Sequence, residues 1–350
     1  MRPSRHADPS IRVEDDRGRP VDWESGKVLP AGCRIAIEAK QYRAASATNG
    51  YVSGVAAGSF VDRKTGARDL GFGLDIVDFL LEPAEKDKPI PPGQYTYGDK
   101  VHGQIPKRYV EGPQICTQAK RLAATVSRGD GFAAVRVSYR WHDAYPPHPR
   151  AGSSWEQLLI FPDDERFFLA ADRVTTVSES PALALRLDMP GHVRRDGGRR
   201  FEHMYLSYHD PKVLPATDFA ADFAPDEKFL YRRGSGPRPG RFLRAYQVVL
   251  DDGKAGPWLA GMTLEPDDVA EAWCHSRGYV CLIEEIGGRP ARPGDTFGAA
   301  YLIGWFDDPD AMAKAYDRYR GASGFALEGP AARPTGFRAL KSGELTEVGR

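Results

Sequence analysis

A chain of 350 residues with 41% apolar, 27% charged and 11% aromatic residues has the make-up of a globular protein, large enough for one extended β domain or two ordinary ones. Lysine plus arginine equals aspartate plus glutamate at 48 each, and this zero formal charge argues against a nucleic-acid binder, which carries a basic excess. No run approaches the roughly 20 apolar residues that cross a bilayer, and the charged N-terminus has no apolar stretch behind it, so neither a membrane span nor a secretory signal is expected.

In chain order, residues 1–30 are polar and read as an arm, residues 31–325 as a single β-sandwich domain, and residues 326–350 as a C-terminal tail. Short apolar runs bounded by turn signals predict strands at 34–39, 51–62, 73–81, 133–139, 155–161, 167–177, 182–187, 203–208, 242–250, 258–264, 279–286 and 298–306. Several alternate with period two; in the run from Ala133 to Tyr139, Val135 and Val137 face one way and Arg136 and Ser138 the other. The turns PDDE (162–165), DDGK (251–254) and RPGD (292–295) separate runs. Strands at this spacing predict a large antiparallel β-sandwich with a few short helices, not βαβ units. The helix expected with the clearest signals runs from Asp308 to Arg320, with Asp308 as cap, Pro309 in the first turn and Gly321 as stop. A shorter helix is expected over Glu265–Trp273, whose acids suit a helix N-terminus, and a turn or two over Ala216–Phe223. The stretch Arg232–Arg241 reads as a loop. Cys33, Cys116, Cys274 and Cys281 form no C-x-x-C pair and read as buried thiols, with the pairing of Cys274 and Cys281 left open. No metal site and no cofactor is expected.

The segment Asn49–Phe72 (NGYVSGVAAGSFVDRKTGARDLGF) reads as strand, tight turn, strand, with Asp62-Arg63-Lys64-Thr65-Gly66 as a polar turn whose glycine takes positive φ. It resembles the opening hairpin of the large β-sandwiches of the galactose-mutarotase type, in which an Asn-Gly step leads into a strand ending in a D-x-K-T-G-like turn. The resemblance implies a mutarotase-like supersandwich and carbohydrate chemistry. Supersandwich lyases of this kind move a proton with Tyr or His and neutralise a carboxylate with Arg, Lys or another polar group.

Four stretches hold residues for such chemistry. The first, Tyr95–Gln118, crowds His102, Lys107, Arg108, Tyr109, Glu111 and Gln114 into a glycine- and proline-interrupted segment of which only the end suits a strand. Cations beside a proton-transferring imidazole or phenol are what abstraction next to a carboxylate requires. The second, Ala272–Tyr279, offers Trp273 as a stacking platform and, if extended, places His275, Arg277 and Tyr279 on one face. The third brings His192 at a strand end, and His203 and Tyr205 pointing one way with Tyr208 the other. The fourth is Trp155-Glu156-Gln157, with Arg136, Tyr139 and Arg140 on a neighbouring run. Each also has a structural reading as core, surface ion pair or solvated loop.

The expectation is a carbohydrate-active enzyme with a carbohydrate substrate, a lyase acting by β-elimination on a uronic-acid-containing glycan. His102, Tyr109, His192, Tyr205 and His275 are the candidates for proton transfer. Lys107, Arg108, Glu111, Gln114, Trp273 and Arg277 are the candidates for substrate binding. A sugar epimerase or a glycoside hydrolase calling on Glu111 or Glu156 suits the same scaffold, and a non-catalytic carbohydrate-binding protein would need the aromatic platforms alone. The expected compartment is the cytoplasm, or the periplasm or exterior if a signal was removed, and the oligomeric state is not read from the sequence.

Overall fold

The computed structural model describes residues 9–15, 17–30, 32–45, 60–68, 75–84, 107–112, 120–189, 193–194, 201–219, 229–276 and 279–346. Its strands are antiparallel throughout and fall into four sheets. An N-terminal sheet of four takes β1 (Ser10–Glu14), β2 (Arg34–Glu38), β3 (Tyr42–Ala45) and β4 (Val61–Asp62) in sequence order. A seven-stranded sheet uses β5 (Asp75–Pro83), β6 (Lys107–Glu111), β11 (Ser180–Asp188), β12 (Val193–Arg194), β15 (Tyr231–Arg232), β18 (Val269–Ser276) and β19 (Tyr279–Ala291). Its order is β15-β18-β19-β11-β5-β6, with β12 paired to β19. A nine-stranded sheet uses β7 (Lys120–Arg128), β8 (Phe132–Arg140), β9 (Ser154–Pro162), β10 (Phe167–Thr175), β13 (Phe201–Leu206), β14 (Val213–Pro215), β16 (Phe242–Val249), β17 (Ala255–Thr263) and β20 (Thr296–Phe306). Its order is β14-β13-β16-β17-β20-β10-β9-β8-β7. The hairpin of β21 (Gly324–Glu328) and β22 (Gly336–Leu340) stands in the stretch read as a tail, and β1 in the stretch read as an arm.

Alternation along the nine strands sends side chains into two apolar layers. Val135, Val137, Leu159, Phe168, Ile303 and Trp305 join Ile35 and Tyr42 of the N-terminal sheet and Leu183, Leu185 and Ile286 of the seven-stranded sheet. On the other face Ala134, Ile160, Leu169, Met262 and Leu302 pack with Met312, Ala315 and Tyr316 of the helix α1 (Pro309–Tyr319) and with Phe325 of the hairpin. The two large sheets therefore form a sandwich, and α1 and the last hairpin cover the outer face of the larger one.

Most of the expected strands are present with shifts of a few residues at their ends. The hairpin turn is formed as read: Gly66 has φ 74°, and the carboxylate of Asp62 accepts from Thr65 N at 3.0 Å. Residues 46–59 and 69–74, which carry the rest of the mutarotase-like motif, lie outside the described residues. The helix expected over Glu265–Trp273 is instead a 3-10 turn at Pro266–Asp268 followed by β18. Glu265 caps that turn by accepting from Asp267 N at 2.9 Å, so the acids mark a turn, and pairing of Val269–Ser276 along β19 claims the rest. α1 begins and ends as expected: Asp308 Oδ1 accepts from Ala311 N at 2.7 Å, and Gly321 has φ 79°. Asp308→Ala is expected to lower stability by about 1 kcal/mol in a denaturant titration, through loss of this cap; an unchanged midpoint would show that α1 is held by its apolar face alone. Cys33 and Cys274 are buried thiols outside any disulfide.

Candidate functional site

Strand alternation in the seven-stranded sheet turns Leu185, Leu187, Leu282 and Ile286 inward to the core. It turns Lys107, Arg186, Glu271, Trp273, Ile283 and Glu285 to the outward face. These outward residues come from β6, β11, β18 and β19, and all are buried. Arg186 donates to Glu285 Oε1 from Nε at 3.0 Å and from Nη2 at 2.5 Å. Lys107 Nζ donates to both carboxylates, Glu271 at 2.9 Å and Glu285 more closely. It comes from the edge strand β6, with β5 and β11 between it and β19 in the strand order, and its ammonium is held by these two carboxylates. On the far side Arg232 Nε of β15 donates to Glu271 Oε1 at 2.7 Å. The Arg186 guanidinium lies 4.9 Å from the ring centre of Trp273, which packs on Ile283 and Leu230.

The cluster brings Lys107, Arg186 and Arg232 against Glu271 and Glu285. Burial by itself would raise the Glu285 carboxyl, but Lys107 and Arg186 overcome it and hold the group well below the usual carboxylate range. Burial likewise opposes the charge on Lys107, and Glu285 and Glu271 outweigh it, so its pKa is raised. Glu285 and Lys107 thus stay ionised between the ordinary carboxylate and ammonium ranges. A group of cations in a low-dielectric setting is suited to a carboxylate or phosphate group.

Of the sequence candidates, the structure gathers Lys107, Trp273 and Tyr109. Tyr109 is two positions from Lys107 on the same strand and face, packed on Leu81 and 5.6 Å from the Tyr145 ring. Trp273 is not the open stacking platform the sequence suggested: it is 3% exposed, and Arg186 occupies its ring face. His275 stands two positions beyond Trp273 on β18, opposite Cys281. It does not share a strand with Tyr279, which begins β19, so a single extended face over 275–279 is corrected to two adjacent strands.

Three candidates are placed elsewhere. Arg108 Nε donates to Glu82 Oε1 at 2.7 Å, and His148 Nε2 meets the same oxygen at 2.8 Å. Burial raises the Glu82 carboxyl, and these two partners bring it below its ordinary value, which is the mark of a structural ion pair. Glu111 is fully buried and accepts from Gly152 N at 2.7 Å, Ser153 N at 3.0 Å and the Ser153 hydroxyl. It ties a loop to the sheet and has no capacity left for a substrate. Tyr205 lies on the far face of the nine-stranded sheet, edge-on to Trp258, in the layer under α1. His203 is on that face too, bonded through Nδ1 to Gln247 Oε1 at 3.0 Å. His102, Gln114, His192 and Arg277 lie outside the described residues.

The candidates missed from sequence are Arg186, Glu271, Glu285 and Arg232. A signal was present for one of them: Arg186 is a lone charge inside Leu183-Ala184-Leu185-Arg186-Leu187, where a charge must have a partner or a task.

The core between the large sheets holds a second polar group. Asp172 Oδ1 accepts from Trp155 Nε1 at 2.8 Å and Gln157 Nε2 at 3.2 Å, with Trp155 stacked on Tyr139 at 4.3 Å. The fourth sequence stretch is thus core, except that Glu156 pairs on the other face with Arg173. Burial pushes the Asp172 carboxyl up to about 7 against those two hydrogen bonds. A carboxyl with a raised folded pKa withdraws stability as pH climbs from its unfolded value toward about 7, and the loss is complete above that. Asp172→Asn keeps the Oδ1 acceptor and is expected to stabilise the protein by about 2–4 kcal/mol at pH 8, with the gain vanishing near pH 4. Urea titrations at the two pH values check this; equal effects at both would show that the carboxyl is not the titrating group.

Among the described residues no three His, Cys, Asp or Glu side chains converge as a metal site, and no helix is long and apolar enough to cross a membrane. The fold and site together define a large antiparallel β-sandwich with an ionised cluster on the outward face of its smaller large sheet. No protein-family model matches the chain, and no curated protein does. Solved structures do. A galactose mutarotase related enzyme from Lactobacillus acidophilus aligns with TM-score 0.47 at 9% identity, over 79% of this chain and 99% of that one. A putative aldose 1-epimerase from Klebsiella pneumoniae aligns with TM-score 0.43 at 7% identity, over 83% and 85%. A GH36 α-galactosidase from Geobacillus stearothermophilus aligns with TM-score 0.45 at 11% identity, over 87% of this chain and 44% of that one. The chemistry of the present chain rests on its own side chains.

Proposed function

We propose that this chain is a carbohydrate-active enzyme whose outward seven-stranded face binds an acidic sugar and eliminates across its glycosidic bond. The observation that carries the reading is the convergence of Lys107, Arg186 and Arg232 on one buried face. A sugar carboxylate is drawn to these cations. It enters beside Arg232, whose side chain is 37% exposed while Lys107 and Arg186 are nearly sealed. In β-elimination the proton on the carbon next to the carboxylate is removed, and the charge that develops on the carboxylate oxygens is stabilised by these cations. The electron pair forms the carbon–carbon double bond as the glycosidic carbon–oxygen bond breaks, and the leaving oxygen takes a proton. Tyr109 and His275 are assigned to proton transfer, each two positions along its strand from a cluster residue.

A second reading, epimerisation of an aldose at its anomeric carbon, draws on Glu271 and Glu285 flanking one ammonium, since a carboxylate can take the proton of the anomeric hydroxyl while the ring oxygen receives one and the ring opens. Incubation with uronate-containing oligosaccharides separates the two. Elimination gives the ultraviolet absorbance of an unsaturated product, lost in Lys107→Met; epimerisation changes optical rotation without absorbance. Release of reducing sugar from neutral glycans, with neither signal, would make the protein a hydrolase and end both readings.

A further inference from the structure

Two strands of the seven-stranded sheet each carry an extra residue at the same level, and these bulges decide which carboxylates meet Lys107. Where β18 pairs with β19, Val269 stands opposite Ile286, and both point into the core. Regular pairing would continue with Ala270 opposite Glu285 and Glu271 opposite Glu284. That would turn Glu271 inward, beside a carboxylate that Arg244 and Thr263 already hold. Instead Ala270 is passed over, and Glu271 stands opposite Glu285 on the outward face. On the other side of β19, Gly288 is passed over in the pairing with β11, where Ala184 faces Gly287 and Leu183 faces Arg289.

Two like charges set directly opposite each other destabilise a sheet. Lys107 relieves the repulsion by donating to both carboxylates. The backbone that brings them together is built around glycine: Gly287 and Gly288 have φ of 93° and 62°, and a Cβ on Gly288 would meet the Ala270 Cβ at 2.5 Å. One residue is bonded to every part of this double bulge. Arg233 follows Arg232, the second and last residue of β15. Its N–H donates to Ala270 O at 2.9 Å, its Nη1 to Asp267 O at 2.7 Å in the turn that leads into β18, and its Nη2 to Gly287 O and Gly288 O, each at 2.9 Å. Bulges disrupt the ladder locally, and here a guanidinium takes up the carbonyls beside them.

We infer that Arg233 is a positioning residue of the Lys107 face: by fastening the bulges at Ala270 and Gly287–Gly288 it holds Glu271 against the Lys107 ammonium, and so sets how much of Lys107 and Arg232 is left to an incoming anion. Adjacent residues divide the work, Arg232 bonding the Glu271 carboxylate and Arg233 the backbone that aims it. This role deepens the acidic-sugar reading of the face and rests on it for the ligand. Its consequence has a definite sign. Once the bulge is loosened Glu271 leaves the cations, and a sugar carboxylate binds them more tightly, because a competing carboxylate is gone.

The test is calorimetric titration of a glucuronate-containing oligosaccharide into the wild type, Arg233→Met, Gly288→Ala and Glu271→Gln, with crystal structures of the first two variants. Gly288→Ala forces the bulge apart without changing any charge. Each variant is expected to bind about fivefold more tightly than the wild type, and Arg233→Met is expected to add nothing once Glu271→Gln is present. A merely structural role predicts the opposite sign, since a lost cation and a loosened site both weaken anion binding. In the crystals the Glu271–Lys107 bond is expected to be broken, with Glu285 still held by Lys107 and Arg186. Unchanged or weaker binding in Arg233→Met or Gly288→Ala, or a Glu271–Lys107 bond retained in either crystal, would overturn the inference. Should Arg233→Met not fold, Gly288→Ala carries the same outcomes. A wild type that binds no glucuronate ends the acidic-sugar reading, and the crystals then decide the role of Arg233 by themselves.

Discussion

Arg244→Met is expected to cost about 3–5 kcal/mol of folding stability, the range for removing one partner of a buried ion pair. Arg244 is fully buried between the two large sheets, where its Nη1 donates to Ile283 O and its Nη2 to Glu284 Oε2, each at 2.8 Å. Thr263 Oγ1 donates to the other Glu284 oxygen at 2.5 Å. The pair joins β16 and β17 of the nine-stranded sheet to β19 of the other, so it fixes how one sheet sits on its neighbour. Methionine fills much of the same volume, and the loss therefore reports the carboxylate left behind more than a cavity. Burial already raises the Glu284 carboxyl above its ordinary value, with Arg244 and Thr263 opposing. Without Arg244 it must fold protonated, so the variant should lose more stability at pH 8 than at pH 5. Adding Glu284→Gln should recover most of the loss, because a neutral amide needs no counter-charge. A cost below about 1 kcal/mol for Arg244→Met, measured by denaturant titration, would show that water or another cation reaches Glu284.

Lys107→Met should act on the ligand more than on the fold. After the change Arg186 still holds Glu285 and Arg232 still holds Glu271, so each carboxylate keeps a cation. The cluster loses one of the three cations set around Glu271 and Glu285. Affinity for a sugar carboxylate is expected to drop at least tenfold, about 1.4 kcal/mol. The pH dependence follows from the two shifts. The Glu285 contribution to stability is complete above its unfolded value near 4.5 and is lost as pH falls toward its depressed folded value. The Lys107 contribution is complete below 10.5 and is lost as pH rises past its raised folded value. Between these limits Glu285 and Lys107 are both ionised, so binding of an acidic sugar should be flat from pH 6 to pH 9 and steep only outside.

The strands were legible because a half-buried strand writes its two faces into alternate residues, as in Ala133–Tyr139. α1 was legible because its cap and stop are local. Glu265–Trp273 misled because Pro266 and the acids that follow it resemble a helix start, while the β19 partner that makes Val269–Ser276 a strand follows later in the chain. The site was harder for a related reason. Lys107 and Glu285 are 178 residues apart, and no spacing rule connects them. Histidines in loops are conspicuous as titratable groups, whereas the cluster is built from charges on five strands far apart in the chain. Glu111 and Arg108 show the converse: charged residues in a suggestive segment that the fold uses as ties.

The most direct measurement is calorimetric titration of a glucuronate-containing oligosaccharide into the wild type and into Lys107→Met, beside the same oligosaccharide with its carboxyl groups reduced to alcohols. Recognition of the sugar acid by Lys107 and its neighbouring cations predicts tight binding of the acid by the wild type, with at least a tenfold loss both on lysine removal and on carboxyl reduction. Equal affinity of the two proteins for the acid would contradict it.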